Sequence, residues 1–377
     1  MKIAINCCYY TLKGGGIREY IYNLITNIVK LDKVNNYIFY IYEESIDLWN
    51  KTMPSHIPYK LVPFNSKQKI KRSLFQDKFW IEEEKIEKFD IFHSPFFYSP
   101  SVLKCKIVLT VHDLRFKVFP ETYEFIRRFF LYRKVKKSIK NSKHIISISN
   151  FTKSEILKYY KIDERKVSVI HEAVDRSRFR TINNSEANLE IHGLKKYKYL
   201  LSVGHLEPRK SIEFLINSFI KIKEEGFAKN FKLVIVGKKN HDYHKTIELI
   251  NLYKNDIVYL DFVSEETLFS LYQNTYLNIF PSIYEGFGFP ILEAASFNVP
   301  SLCSNTTSLP EIGGDSCSYF EPLNYESFKT KLIELLINSD LYYNLIKKIS
   351  ENLDRFSWTK NAIQTIEVYK KVEELTK

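Results

Sequence analysis

The sequence predicts an α/β protein with two parallel-sheet domains in tandem. Three observations carry that reading. Short apolar runs alternate with stretches of helical periodicity, the pattern of strands joined by covering helices. The alternation stops and then restarts near residue 198. The length of 377 residues suits two to three domains, at roughly 150 residues each.

The elements follow in chain order. Residues 2–8 are an apolar, strand-like run, and Gly14-Gly15-Gly16 forms a loop after it. Ile17, Ile21, Leu24, Ile25 and Ile28 then share one face of a helix. Further strands are predicted at 37–42, 90–93, 107–111 and 144–148, which makes residues 1–180 the N-terminal domain. The polar stretch 181–193, TINNSEANLEIHG, lacks apolar periodicity and reads as a linker. In the second domain, residues 194–358, strands are expected at 199–203, 232–236, 257–260, 277–280 and 299–303. Helical runs at 212–223, 267–272 and 291–296 lie between them. Residues 359–377 begin as an amphipathic helix, expected to pack back on the N-terminal domain. Two such domains face a cleft at the carboxyl ends of their strands, where ligands bind in open α/β folds.

Composition narrows the function. Hydrophobic residues at 45% and charged residues at 27% exclude a disordered chain, a collagen-like chain and a disulfide-stapled mini-protein. No run of about 18 uncharged apolar residues is present, so no transmembrane helix is expected. The start, MKIAINCCYY, does not read as a signal peptide, and a cytoplasmic location is expected. Cys7, Cys8, Cys105, Cys303 and Cys317 form no C-x-x-C pair and read as small buried hydrophobes. The net charge of +12 is uneven. Residues 1–180 carry 34 Lys+Arg against 19 Asp+Glu, and the rest of the chain 22 against 25. A basic first half points to an acidic partner, a lipid surface or nucleic acid.

Four segments could carry chemistry. The first is 281–300, PSIYEGFGFPILEAASFNVP, read as strand end, loop and helix with Pro290 in the first helical turn. It places Glu285 in the loop and Glu293 in the helix eight residues on, while Gly286 and Gly288 let backbone approach a ligand. Such carboxylates accept hydrogen bonds from sugar hydroxyls; a glutamate near a helix start also satisfies the helix dipole, and composition leaves both readings open. The second is 203–211, VGHLEPRKS, where Arg209 and Lys210 precede a helix. Cations at that end of a helix need a compensating anion, which a diphosphate supplies; a solvated basic turn is the plain alternative. The third is the glycine loop, which matches neither the dinucleotide fingerprint nor the P-loop. The fourth is TVHDL at 110–114, where His112 at a strand's carboxyl end faces the cleft or serves as a structural histidine. No D-x-D occurs, and His241 and His244 read as surface residues, so no metal is expected.

Together these segments resemble glycosyltransferase family 4. Glu285 and Glu293 fit its E-x7-E motif, supported by GHLEPRK, by SLPEIGGDSCSYFEP at 308–322 and by FSWTKNA at 356–362. The resemblance spans nearly the whole chain. It implies the GT-B fold of two Rossmann-like domains, a retaining mechanism, and neither cofactor nor metal. It also implies roles: Glu293 on the donor ribose, Glu285 near the donor sugar, and Arg209 with Lys210 on the diphosphate. Gly15 and Gly16 approach the donor phosphate, Gly286 lies in the donor loop, and the backbone of Phe287, Gly288 and Phe289 contacts the donor. His112 stands at the reaction centre. Ser211 departs from the Gly or Asn that many members carry after the Arg-Lys pair.

Within the family, the SLPEIGGDS and FSW segments are most similar to bacterial O-antigen or capsule mannosyltransferases. This implies a nucleotide-sugar donor, GDP-mannose first and a UDP-hexose second, and a glycan or lipid-linked glycan acceptor. A nucleotide-sugar epimerase of the same fold is the rival enzyme; a non-catalytic membrane or nucleic-acid adaptor is the rival binder. The complete donor set favours transfer and leaves nucleic acid out of the expected partners. Residues 125–143 hold Arg127, Arg128, Arg133, Lys134, Lys136, Lys137, Lys140 and Lys143, with no acidic residue from 125 to 154. With Phe125, Phe129, Tyr132 and Ile139 they predict peripheral binding to anionic membrane at the inner face of the cell membrane.

Overall fold

The computed structural model describes residues 1–12, 14–65, 69–183 and 185–375; side chains at 69–74 and 125–127 lie outside the description. Two compact units divide the chain. One comprises Met1–Glu172 with Ser357–Lys377, the other Ala173–Phe356.

The first unit holds a seven-stranded, wholly parallel sheet. Its strands are β1 (Lys2–Asn6), β2 (Asn36–Tyr42), β3 (Lys60–Val62), β4 (Ile91–Ser94), β5 (Lys106–Val111), β6 (His144–Ser147) and β7 (Val167–Val169). They lie in the order β3-β2-β1-β4-β5-β6-β7. Helices cover the sheet, so its central strands are buried and read as unbroken apolar runs rather than alternating ones. Ile3, Ala4, Ile5, Phe92, Val108 and Leu109 are all but inaccessible. The second unit repeats the plan with β8 (Tyr199–Val203), β9 (Lys232–Val236), β10 (Ile257–Leu260), β11 (Leu277–Phe280), β12 (Ser301–Ser304) and β13 (Cys317–Phe320). Its order is β10-β9-β8-β11-β12-β13, again all parallel.

Sequence periodicity passes over β3, β7 and β13, because runs of three or four residues with polar members carry too little pattern. The stretch 181–193 differs from the expected linker. It contains the helix Ser185–Glu190, whose Leu189 is buried with Leu194 and Tyr199 in a core cluster of the second unit. One buried apolar side chain anchors that helix, too few to produce a visible period.

The C-terminal helix, Trp358–Glu374, is capped by the Ser357 hydroxyl and packs on Gly15–Leu31 within the first unit. Its Tyr369 is fully buried, with the hydroxyl 2.6 Å from His93 Nδ1. His93 Nε2 lies 2.9 Å from Thr110 Oγ1, which lies 3.0 Å from the Tyr20 hydroxyl. This polar chain ties the helix to β4 and β5. Burial, with a smaller contribution from His112, pushes His93 down to about 3, so it is neutral.

The helix Phe125–Asn141 buries Val135, Ser138 and Ile139 and exposes Phe129 and Phe130. Ile139 therefore belongs to the core and not to the expected membrane face. The side chains of Phe125 and Arg127 are outside the described residues.

Candidate active site

In both sheets the strand order reverses once, between β1 and β4 and between β8 and β11. Loops leaving adjacent strands there diverge and open a crevice at the carboxyl ends, the usual ligand position in open α/β sheets. The chemistry-bearing segments leave these strands or β5 beside them.

In the second unit, β8 runs into residues 204–211. Gly237, after β9, has φ +154°, and a Cβ there would lie 2.0 Å from the Gly204 carbonyl oxygen. Only glycine allows that approach. A tight turn, Pro208–Lys210, then precedes the helix Ile212–Glu224, with Ser211 between them at φ +51°. That left-handed conformation is natural to Gly and tolerated by Asn, a physical reason for either at this position. Ser211 adopts it against the steric preference, with its hydroxyl buried and lacking a hydrogen-bond partner.

Arg209 and Lys210 meet Glu285 from the loop after β11. Lys210 Nζ is 2.5 Å from Glu285 Oε1, and Arg209 Nη1 is 2.8 Å from Oε2. Arg209 Nη2 also lies 2.5 Å from Glu207 Oε1, and Nη1 donates to the Tyr284 carbonyl at 2.9 Å. The compensating anion that the sequence reading sought in a ligand is thus supplied by the chain itself, as Glu285 and Glu207. The side chains of Arg209, Lys210 and Glu285 are 17%, 11% and 12% exposed. Burial works to raise the Glu285 carboxyl, but Lys210 and then Arg209 outweigh it and hold it at about 2. Burial lowers the Lys210 ammonium against the pull of Glu285. The cluster faces little water.

The loop carrying Glu285 is itself pinned. The Ser308 hydroxyl lies 3.0 Å from the Glu285 carbonyl oxygen and 2.5 Å from that of Phe287, and the Glu285 N–H donates to Thr307 Oγ1 at 3.3 Å. Gly288, at φ +130°, opens the helix Phe289–Ser296, with Pro290 in its first turn. Gly286 and the Phe287 side chain are buried, the latter against Phe289 and Phe356, which leaves Phe287 its backbone for any ligand contact. Glu293 lies one turn into that helix and half-buried. It accepts from the hydroxyl of fully buried Tyr272 at 2.9 Å. Sequence reasoning missed Glu207, Tyr272, Thr307 and Ser308. Glu207 and Ser308 lie inside the quoted motifs and were legible as polar residues there; Tyr272 carried no signal.

In the first unit, Gly15 and Gly16 are the first two residues of the helix Gly15–Leu31 rather than a loop before it, Gly15 at φ +52°. Lys13 lies outside the described residues. His112 immediately follows β5. Its Nδ1 is 2.9 Å from Glu172 Oε1 and its Nε2 is 3.2 Å from the Pro95 carbonyl oxygen. Tyr20, from the glycine-led helix, packs edge-on with ring centroids 4.9 Å apart. Burial lowers the imidazole, but Glu172 more than reverses this and the net shift is upward.

Among the described residues no group of three His, Cys, Asp or Glu is placed to hold a metal ion, and no helix is long and apolar enough to cross a membrane. His241 and His244 are exposed, His244 with its ring stacked on Tyr243.

Two family models match the chain: "Glycosyltransferase Family 4" over residues 14–178 and "Glycosyl transferases group 1" over residues 184–352. O-antigen chain mannosyltransferase B of Escherichia coli is 29% identical over 287 residues, 74% of each chain. O-antigen chain mannosyltransferase RfbU of Salmonella typhimurium is 31% identical over 227 residues, 59% of each. Among solved structures, a glycosyltransferase from Rickettsia africae superposes with TM-score 0.75 at 21% identity, covering 98% of both chains. Anabaena HepE, solved with UDP-glucose, gives 0.76 at 14% identity, covering 98% of this chain and all of that one. WaaG, a glycosyltransferase of lipopolysaccharide biosynthesis, gives 0.70 at 15% identity, covering 98% of this chain and 99% of that one.

Proposed function

The chain belongs to glycosyltransferase family 4, retaining hexosyltransferases of the GT-B fold that act on nucleotide-sugar donors, and on that premise we propose that it moves mannose from GDP-mannose to a growing, lipid-linked surface polysaccharide. The observation that carries the donor-site reading is the Arg209–Lys210–Glu285 cluster at the strand-order reversal of the second sheet. Two water-poor cations there suit a diphosphate. The leaving diphosphate gains negative charge as the sugar–oxygen bond breaks, so preplaced cations favour the transition state over the ground state. Glu293, oriented by Tyr272, takes the ribose hydroxyls, and Glu285 takes a hydroxyl of the sugar while bracing both cations. The acceptor hydroxyl attacks the anomeric carbon on the face the phosphate leaves. The new carbon–oxygen bond forms as the old one breaks, and the hydroxyl proton passes to the departing phosphate oxygen.

Mannose is supported by the two relatives at 29% and 31% identity, both named O-antigen chain mannosyltransferases. The test is melting of the full chain with GDP, UDP, ADP and dTDP, then transfer from the matching nucleotide sugars. A nucleotide at 100 times its dissociation constant stabilises by about 2.7 kcal/mol. Preference for UDP moves the donor to a UDP-hexose, and isomerisation of the donor without an acceptor identifies an epimerase.

A lipid-linked acceptor requires access to a membrane. Phe129 and Phe130 are 49% and 66% exposed on the helix Phe125–Asn141 and border a groove with Arg133, Lys134, Lys136, Lys137 and Lys140. Apolar rings among cations suit the interface of an anionic leaflet, at about 1 kcal/mol per cation. This supports a peripheral position at the inner face of the cell membrane. Liposome flotation at low salt decides: equal recovery on neutral and anionic vesicles refutes it.

A further inference from the structure

Glu172 belongs to none of the recognised motifs, yet it is one of the most buried carboxylates in the chain. Its side chain is 2% exposed, and Oε1 lies 2.9 Å from His112 Nδ1. The other ring nitrogen of His112 lies 3.2 Å from the carbonyl oxygen of Pro95. A carbonyl oxygen accepts hydrogen bonds and cannot donate them, and so does an ionised carboxylate. Donation from both ring nitrogens, one to Glu172 and one to Pro95, satisfies both neighbours at once. We infer that Glu172 is a positioning residue that holds His112 as an oriented imidazolium.

The groups around the ring agree from each side. Asp113 is adjacent in sequence and favours the cation. Tyr20, on the helix Gly15–Leu31, presents an uncharged ring, its own ionisation suppressed by burial. His93, on the neighbouring β4, would oppose a second positive charge. It is neutral, enclosed by Tyr369 and Thr110, and so leaves the cation to His112. Burial penalises the charged ring, and the hydrogen bond and charge of Glu172 overcome that penalty.

The consequence rests on the transferase reading above. An imidazolium has no lone pair, so His112 cannot take the proton of the acceptor hydroxyl. That proton goes to the departing phosphate oxygen, and His112 provides a fixed positive charge with both N–H vectors set by Glu172 and Pro95. Histidine as a general base requires the opposite protonation state.

The experiment uses the full chain with 13C,15N-labelled histidine. Imidazole correlation spectra are followed from about pH 5.5 to 9, with the His112 signal identified by its loss in His112→Gln. The expected result is imidazolium shifts for His112 where an unperturbed histidine has already lost its proton, with titration displaced upward from the ordinary histidine range. In Glu172→Gln the titration should fall by at least about tenfold in proton affinity. Turnover in that variant should then fall with rising pH at a lower pH than in the wild type. Loss of turnover that is equal at all pH values marks a purely structural glutamate and overturns the positioning role. If Glu172→Gln does not fold, the wild type alone decides: titration of His112 at or below about 6.5 ends the inference. Failure to transfer any sugar defeats the transferase reading and leaves the spectroscopic result standing, so the two failures are distinguishable.

Discussion

Glu285→Gln removes the negative charge shared by Arg209 and Lys210 while keeping the side chain's size. Breaking a buried ion pair by removing one partner costs about 3–5 kcal/mol, because the remaining charge stays desolvated. Here the three side chains retain 11–17% exposure, and Glu207 still pairs with Arg209, so the lower end applies, about 3 kcal/mol. For a unit of this size that is a fall of about 6–12 °C in melting temperature. The sign with pH follows from the depressed carboxyl, about 2 in the folded protein against an ordinary 4.5. Its stabilisation is complete above about pH 4.5 and disappears as the pH falls towards 2, so wild type and variant should converge only in that window. A bound nucleoside diphosphate restores negative charge beside the two cations. Nucleotide should therefore raise the melting temperature of Glu285→Gln more than that of the wild type, with tighter affinity and reduced turnover. The assays are thermal melting with and without nucleotide, calorimetric affinity and steady-state kinetics. A variant that melts with the wild type at pH 7, or loses nucleotide affinity as Glu293→Ala does, would falsify this account of the cluster.

Three further outcomes are expected. Glu293→Ala should weaken nucleoside diphosphate binding by roughly 10- to 150-fold, the worth of a charge-assisted hydrogen bond, and Tyr272→Phe by less, because it removes only the orienting contact; calorimetry showing no loss in Glu293→Ala removes it from the ribose site. Ser211→Gly should stabilise by about 0.5–1 kcal/mol, since it relieves a left-handed serine and deletes a buried hydroxyl without a partner, against the added entropy of an unfolded glycine; a lower urea midpoint contradicts this. Transfer should continue in excess chelator, because the chain has no D-x-D and the proposed diphosphate partners are Arg209 and Lys210; activity lost to chelator and restored by magnesium or manganese refutes it.

Much of the fold could be read directly, and the reason is local. A strand buried on both faces must be apolar throughout, so β1, β8, β9 and β11 stand out as short hydrophobic runs. Helices with one buried stripe show their period, as Gly15–Leu31 and Ile212–Glu224 do. The donor-side residues were legible because glycine, proline and charge must recur at fixed spacing around a strand–loop–helix turn. Where an element owes its form to neighbours distant in sequence, the reading failed: β3 and β7 exist because an adjacent strand offers hydrogen bonds, and the helix Ser185–Glu190 because Leu189 finds a cavity among residues far along the chain.

The sequence by itself thus determined the fold class and the family, since each is written in local patterns of strand, turn and helix. Only the tertiary structure decided what the charged groups do. Arg209 and Lys210 show in sequence only as two adjacent cations; the fold brings Glu285, 75 residues beyond Lys210, within ion-pairing distance of both. His112 shows in sequence as a strand-end histidine that the resemblance alone places at the reaction centre; the fold sets Glu172, 60 residues on, against its ring. Charge state depends on burial and on partners within a few ångströms, and neither is a function of spacing along the chain.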